Sequence, residues 1–236
     1  MRVYSKTHQG LVRTSNQDTL LLTPDAYGVA DGMGGHKGGE TASRVAAQVL
    51  KVALQGKEPE EQALKIGIEA ANRRIYDMGM RDSELSGMGT TLTLLWEGKQ
   101  KVWIAHVGDS RAYLYRNGQL TRQTEDHSMV AELIKNKAIT PEAAANHPYR
   151  HVITRALGSE PVVLPDVFCV EKNPGDIWLA CSDGLHNMLS DEEIAEVLAA
   201  REGEKAAEKL LEMALEHGGN DNISFVLGIV VEEDHE

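Results

Sequence analysis

TTLTLLWEGKQKVWIAHVGDSRAYLYR, residues 90–116, is the stretch on which the fold turns. It contains three runs, TTLTLLW, KVWIAHV and RAYLYR, each short and rich in β-branched, aromatic and aliphatic residues that favour extended backbone over helix. Turn formers separate them at residues 98–100 and 108–110. The spacing predicts a β-meander. Upstream, β-type runs at residues 2–8, 19–22 and 27–30 lead into a helix whose Ala42, Val45, Ala46, Val49, Leu50 and Ala53 share one face. After a break at residues 56–59, Leu64, Ile68, Ala71, Ile75 and Met78 recur every three or four positions, so a second amphipathic helix is expected antiparallel to the first.

Downstream, residues 124–155 form a polar insertion, with a short apolar helix around Val130, Leu133 and Ile134 and another opened by Thr140 with Pro141 at its first position. Two further strands, VVLPDVFCV (162–170) and DIWLACS (176–182), precede a helix opened by Ser190 and Glu193 at capping-box spacing. A helix with Ala207, Leu210, Leu211 and Ala214 inward then ends at Gly218 and Gly219, before a last strand, ISFVLGIVV (223–231). Helices come in pairs and strands in hairpins, with no one-for-one alternation. The expectation is an α+β fold, a central sandwich of two mainly antiparallel sheets flanked by helix pairs. With no repeat, low-complexity block or Gly/Ser linker, residues 1–236 read as one domain.

Composition narrows the function. The 24 Lys and Arg against 36 Asp and Glu leave a net charge of −12, which repels nucleic acid phosphates and anionic lipid heads. The two cysteines, Cys169 and Cys181, lie in apolar strand-like runs, too few for a disulfide framework or a thiolate zinc site, and a reducing cytoplasm is the expected setting. No run approaches the roughly 20 apolar residues of a membrane span, so a soluble, intracellular protein is expected.

Three aspartates stand at strand ends: Asp31 after YGVA, Asp183 after IWLACS, and Asp221 just before ISFVLGIVV. Gly32 and Gly184 follow two of them, leaving carbonyl oxygens open to a ligand. Asp18 and Asp109 also sit at strand edges. One Asp-Gly in a loop is ordinarily a turn or cap residue. Five carboxylates converging would repel one another by roughly 4 kcal/mol per pair at about 4 Å in an effective dielectric near 20, and divalent ions would relieve that repulsion. The segment ADGMGGHKGGE, residues 30–40, fails both the dinucleotide and the Walker-type phosphate-loop patterns, but a carboxylate holding a metal that in turn holds phosphate suits it. Arg13, five residues before Asp18, is either a solvated surface cation or a bidentate phosphate grip. His36 in the glycine-rich turn is equally a leaving-group acid or a loop residue. A cysteine-nucleophile mechanism lacks its arginine, since Asn187 stands six residues after Cys181, and no Asp-x-Asp supports an aspartyl-phosphate route.

The motifs RTSNQD, ADGMGGHKGGE, GMGTT, HVGDSRAYL, TEDHS, HPYRHVITRALG, CSDGL and GGNDNIS occur in this order. On these motifs the chain resembles the bacterial metal-dependent serine/threonine protein phosphatases, the type 2C or PPM family, from about Gly10 to Val231. The resemblance implies a binuclear Mn2+ or Mg2+ centre, with Asp31 bridging both ions, the Gly32 carbonyl on one, and Asp183 and Asp221 on the other. Asp18 would act through bound water, and Asp109 with Asp183 would support a third, weaker ion. Arg13 would clamp the substrate phosphate, His36 would resemble the proposed general acid, and residues 124–155 would be a flap beside the active site. Asn187 departs from the aspartate of many relatives, which bears on the third ion, and Gln17 stands where relatives often carry glutamate.

The implied reaction is in-line attack on phosphoserine or phosphothreonine by a metal-bridging hydroxide, without a phosphoenzyme. The implied partners are phosphorylated proteins and a cognate Ser/Thr kinase, and a monomer is expected. The alternatives are a two-metal hydrolase of small phosphate esters and a catalytically silent phosphoprotein-binding module.

Overall fold

A computed structural model describes residues 1–34, 37–144 and 147–231. The chain opens with strands β1 (Arg2–His8), β2 (Asp18–Leu22) and β3 (Ala26–Met33), then helices α1 (Gly38–Leu54) and α2 (Glu61–Arg81). Strands β4 (Gly89–Thr90), β5 (Leu92–Glu97), β6 (Lys101–Val107), β7 (Arg111–Arg116) and β8 (Gln119–Arg122) follow. The insertion carries α3 (Met129–Lys135) and α4 (Pro141–Ala144). Strands β9 (Asp166–Glu171) and β10 (Ile177–Cys181), helices α5 (Asp183–His186), α6 (Asp191–Ala200) and α7 (Gly203–Glu216), and strand β11 (Ile223–Ile229) complete it.

One sheet has the order β1-β11-β10-β7-β8 and the other β2-β3-β5-β6-β9, with β4 added to β3; the pairings are antiparallel. The sheets stack face to face over Tyr27, Val29, Leu95, Ile104, Trp178 and Val226. Helices α1 and α2 cover the outside of one sheet through Ala46, Leu50, Leu64 and Ile68, and α6 and α7 cover the other through Ile194, Leu198, Ala207 and Leu210. Strand β10 shows why the inner strands are uninterruptedly apolar: Trp178 and Ala180 face the opposite sheet while Ile177, Leu179 and Cys181 face the helices. A strand buried on both sides has no polar face to show.

The same fact explains the main departure from expectation. Residues 90–116 do not form one meander. Strands β5 and β6 are a hairpin in one sheet, but β7 lies in the other, between β10 and β8. With both faces buried, no inside–outside alternation marks which sheet a run joins, and turn residues at 108–110 serve a crossing as well as a hairpin. Gly108, at φ 110°, makes the crossing, and a Cβ there would lie 2.6 Å from the Thr91 side chain. Asp109 is thereby placed between the sheets. Other shifts are smaller. Strand β3 continues through Asp31 and Gly32 to Met33, so that aspartate lies within the strand. The expected strand at 162–170 starts only at Asp166, with Val162 and Leu164 each 73% exposed before it. Strands β4 and β8 and helix α5 were not anticipated, because elements of two to four residues carry no periodicity.

Candidate functional site

Asp31 is fixed through its backbone. The N–H of Thr91 donates to the Asp31 carbonyl at 2.8 Å, the Thr90 hydroxyl donates to the same oxygen at 2.8 Å, and the Asp31 N–H donates to Thr91 Oγ1 at 3.0 Å. The paired threonines of GMGTT thus hold the residue while its carboxylate stays available. Asp18 lies directly across from it in the β2–β3 register, buried, with Oδ2 accepting from the Ser182 hydroxyl at 2.9 Å. Asp183 opens α5 immediately after β10, Asp109 lies at the crossing between sheets, and Asp221 precedes β11. The two sheets end together here. A cleft of about 520 Å³ is lined by Arg13, Asp31, Gly32, Asp109, Asp183 and Asp221 among others, and Asp18, outside that lining, is buried opposite Asp31.

Gly32 has a packing reason beyond its carbonyl. A Cβ at that position would lie 2.1 Å from the Gly39 carbonyl of α1 and 2.6 Å from that of Gln17, so only glycine lets strand and helix meet here. Gly184 is similar, with the Asn222 carbonyl 2.0 Å from where its Cβ would be.

Burial and mutual repulsion push these carboxyls up. Asp18 rises to about 7, first from burial and then from the charges of Asp183 and Asp221. Asp109 also rises to about 7, through burial and then Asp183 and Asp126, and Asp183 to about 6, through burial and then Asp221. Asp31 rises well above the ordinary carboxylate range, from burial and then the charges of Asp18, Asp183, Asp109 and Asp221. Oxygens of Asp18, Asp109 and Asp183 (Oδ1 in each) are buried with no hydrogen-bond partner. A buried acceptor without a donor is costly unless a cation completes it. Among the described residues, no three acidic, histidine or cysteine side chains are already closed around one point. The charge of Asp183 acts on Asp31, and Asp221 accepts from Arg13 Nη2 at 2.7 Å. The donor set is all oxygen and strongly anionic, and it suits a hard divalent cation such as Mg2+ or Mn2+.

Arg13 lies half exposed at the cleft mouth, its loop held by Asn222. The Asn222 side chain accepts from the Gln17 N–H and donates to the carbonyls of Gln9 and Ser15, each at 2.8 Å. His36 lies outside the described residues. Asn187 Nδ2 donates to Asp183 Oδ2 at 3.1 Å, so the residue that departs from the family pattern occupies a carboxylate oxygen without adding charge. Sequence reasoning passed over Ser182, Asn222, Thr90, Thr91 and His151. All lie in quoted motifs, but the first four act through hydrogen bonds to residues distant in sequence, which spacing does not show, and His151 lines the cleft.

The fold and site together define a four-layer α-β-β-α protein with an oxygen-rich acidic cleft at one end of its paired sheets. Residues 8–217 match the sequence model of a family described as Protein phosphatase 2C. The serine/threonine protein phosphatase PstP of Mycobacterium tuberculosis is 39% identical over 238 residues, covering 100% of this chain and 46% of PstP, so the chain spans about half that relative's length. The serine/threonine phosphatase stp of Listeria welshimeri is 38% identical, with 96% of this chain and 95% of that protein covered. The crystal structure of Mycobacterium tuberculosis PstP/Ppp superposes with a TM-score of 0.92 at 38% identity, covering 98% of this chain and 99% of that one. A PstP catalytic domain in complex with two manganese ions gives 0.90 at 37% identity, with 98% of each chain covered. The chain belongs to the protein phosphatase 2C family.

Proposed function

We propose that this chain is a metal-dependent protein serine/threonine phosphatase, a single catalytic domain whose residues 124–155 form a flap. The observation that carries the reading is the set of buried, partnerless oxygens of Asp18, Asp109 and Asp183 around a cleft with an arginine at its mouth. Asp31, Asp183, Asp221 and the Gly32 carbonyl would hold two Mn2+ or Mg2+ ions, with Asp18 behind them and Asp109 available to a third. Such ions, when bound, supply Lewis acidity toward phosphate oxygens and a water acidic enough to act as nucleophile near neutral pH.

The chain's own groups do the rest. Arg13 exchanges Asp221 for substrate phosphate, whose two oxygens match the guanidinium fork. The Thr90–Thr91 pair and Asn222 keep Asp31 and the Arg13 loop in place, so little reorganisation accompanies binding. His36 is proposed as leaving-group acid. Phosphorylated proteins and a cognate Ser/Thr kinase are the proposed partners, in the cytoplasm, with the enzyme a monomer. Among the described residues no helix is long and apolar enough to cross a membrane.

The test is release of inorganic phosphate from a phosphothreonine peptide and from p-nitrophenyl phosphate with added Mn2+. Turnover of both, abolished by EDTA, is expected, and Asp31→Asn should lower kcat/KM by at least about 100-fold. A binding module would release nothing, and a hydrolase of small esters would favour nucleoside phosphates over the peptide. Arg13→Ala is expected to raise KM more than it lowers kcat; an unchanged KM with a collapsed kcat would exclude the clamp.

A further inference from the structure

A second cavity, of about 1090 Å³, opens onto the acidic cleft, and the two share Arg13, Asp109, His151, Asp183 and Asp221. It is at the upper end of the size of ligand sites and far larger than a phosphate group needs. Its outer wall is the insertion. Val130, Ala131 and Ile134 of α3 and Pro141 and Ala144 of α4 line it, opposite Met188 of the body. No residue of α3 is fully buried, so the aliphatic side of this helix, capped by Ser128, borders the cavity without closing into a core.

The charged lining differs from the rest of the molecule. Apart from the residues shared with the cleft, Arg111, Arg122, Lys135 and Arg150 face it against Glu125 and Asp126, an excess of two cations in a chain of net charge −12. Arg111 is committed to Asp126, with Nη2 donating at 2.7 Å and Nε at 3.0 Å, and Lys135 pairs with Glu125 at 2.9 Å. Arg122 reaches only the same Asp126, at 3.6 Å, and among the described residues Arg150 has no carboxylate partner. These two are the surplus.

We infer that this cavity takes the segment of a phosphoprotein next to its phosphorylated residue, and that it selects segments bearing an aliphatic and an acidic side chain. The assignment rests on the phosphatase reading and specifies its substrate class. The aliphatic wall gains by covering an apolar side chain, and Arg122 and Arg150 gain by facing a carboxylate at the solvent edge, where the attraction is modest and weakened by salt.

The test measures kcat/KM with Mn2+ for phosphothreonine peptides that differ only in a flanking pair, Leu-Glu, Ser-Glu, Leu-Lys or Ser-Lys, placed before or after the phosphoresidue, with p-nitrophenyl phosphate as a reference. On one side, Leu-Glu should exceed Ser-Lys by about tenfold, and the Glu advantage should shrink at high salt. Ile134→Asp should remove the preference for Leu over Ser, and the Arg122→Glu, Arg150→Glu double variant should reverse that for Glu over Lys. Each preference is a ratio within one protein, so partial loss of folded enzyme leaves it unchanged. Equal rates for all peptides, or preferences that survive the variants, would overturn the assignment while leaving the phosphatase intact. Silence toward p-nitrophenyl phosphate and every peptide would overturn the phosphatase reading and the subsite together.

Discussion

Asp18 and Asp31 face each other across adjacent strands, and like charges so placed weaken a sheet. Ser182 offsets part of the cost by donating to one oxygen of Asp18, but the other oxygen stays buried and unpartnered. Replacing Asp18 by asparagine removes the repulsion and keeps an acceptor for the Ser182 hydroxyl. Asp18→Asn is therefore expected to melt at a higher temperature than the parent in EDTA, yet to need more Mn2+ for half-maximal activity. A melt in EDTA compared with a Mn2+ titration of activity checks both halves. A variant less stable than the parent in EDTA would show that the carboxylate is structural. This is the trade between stability and function expected where selection retains a strained group for what it binds.

Elements read from the sequence succeeded where a repeating pattern runs long enough to show. Helices α1 and α2 declare themselves through Ala42, Ala46, Leu50, Leu64, Ile68 and Ile75, all of which are buried. Helix α6 was legible from its first residues: Ser190 accepts from the Glu193 N–H and Glu193 accepts from the Ser190 N–H, closing the capping box. Ser190→Ala should cost about 1 kcal/mol of stability, read as a lower denaturation midpoint with an unchanged slope, because the Glu193 N–H at the helix start loses its ordered partner. An unchanged midpoint would mean that water replaces the cap fully. The crossing at Gly108 was not legible, since strands buried on both faces look alike whichever sheet they join. The site was legible in part: Asp31, Asp109, Asp183, Asp221 and Arg13 line one cleft as their motifs implied, whereas the supporting Asn222 and Ser182 act across 205 and 164 residues of sequence, beyond any local pattern.

Across the whole molecule, gathering carboxylates at one end of the sandwich ties stability to protons and metal. In the metal-free protein Asp18 and Asp109 titrate near 7, Asp183 near 6 and Asp31 well above its ordinary range, against about 3.8 for each in the unfolded chain. The folded state therefore holds more protons than the unfolded state at neutral pH, and its stability falls as pH rises through these values. Buried histidines act in the opposite sense: burial holds His106 near 4, His186 near 3 and His127 below its usual value, so below about pH 6.5 the unfolded chain takes up protons that the folded one refuses. The EDTA-treated protein should thus gain stability on acidification from pH 8 to about 6.5, with further acidification adding less per pH unit because the three histidines then oppose the four carboxyls. Saturating Mn2+ should raise the melting temperature most at pH 8 and remove the dependence between 8 and 6.5, since a bound ion takes the place of the protons. Calorimetric melts at pH 8 and 6.5, with EDTA and with Mn2+, decide the matter. A metal-free protein equally stable at both pH values would mean that its carboxylates are already neutralised by groups other than protons, and the cation-binding role of the cleft would lose its electrostatic basis.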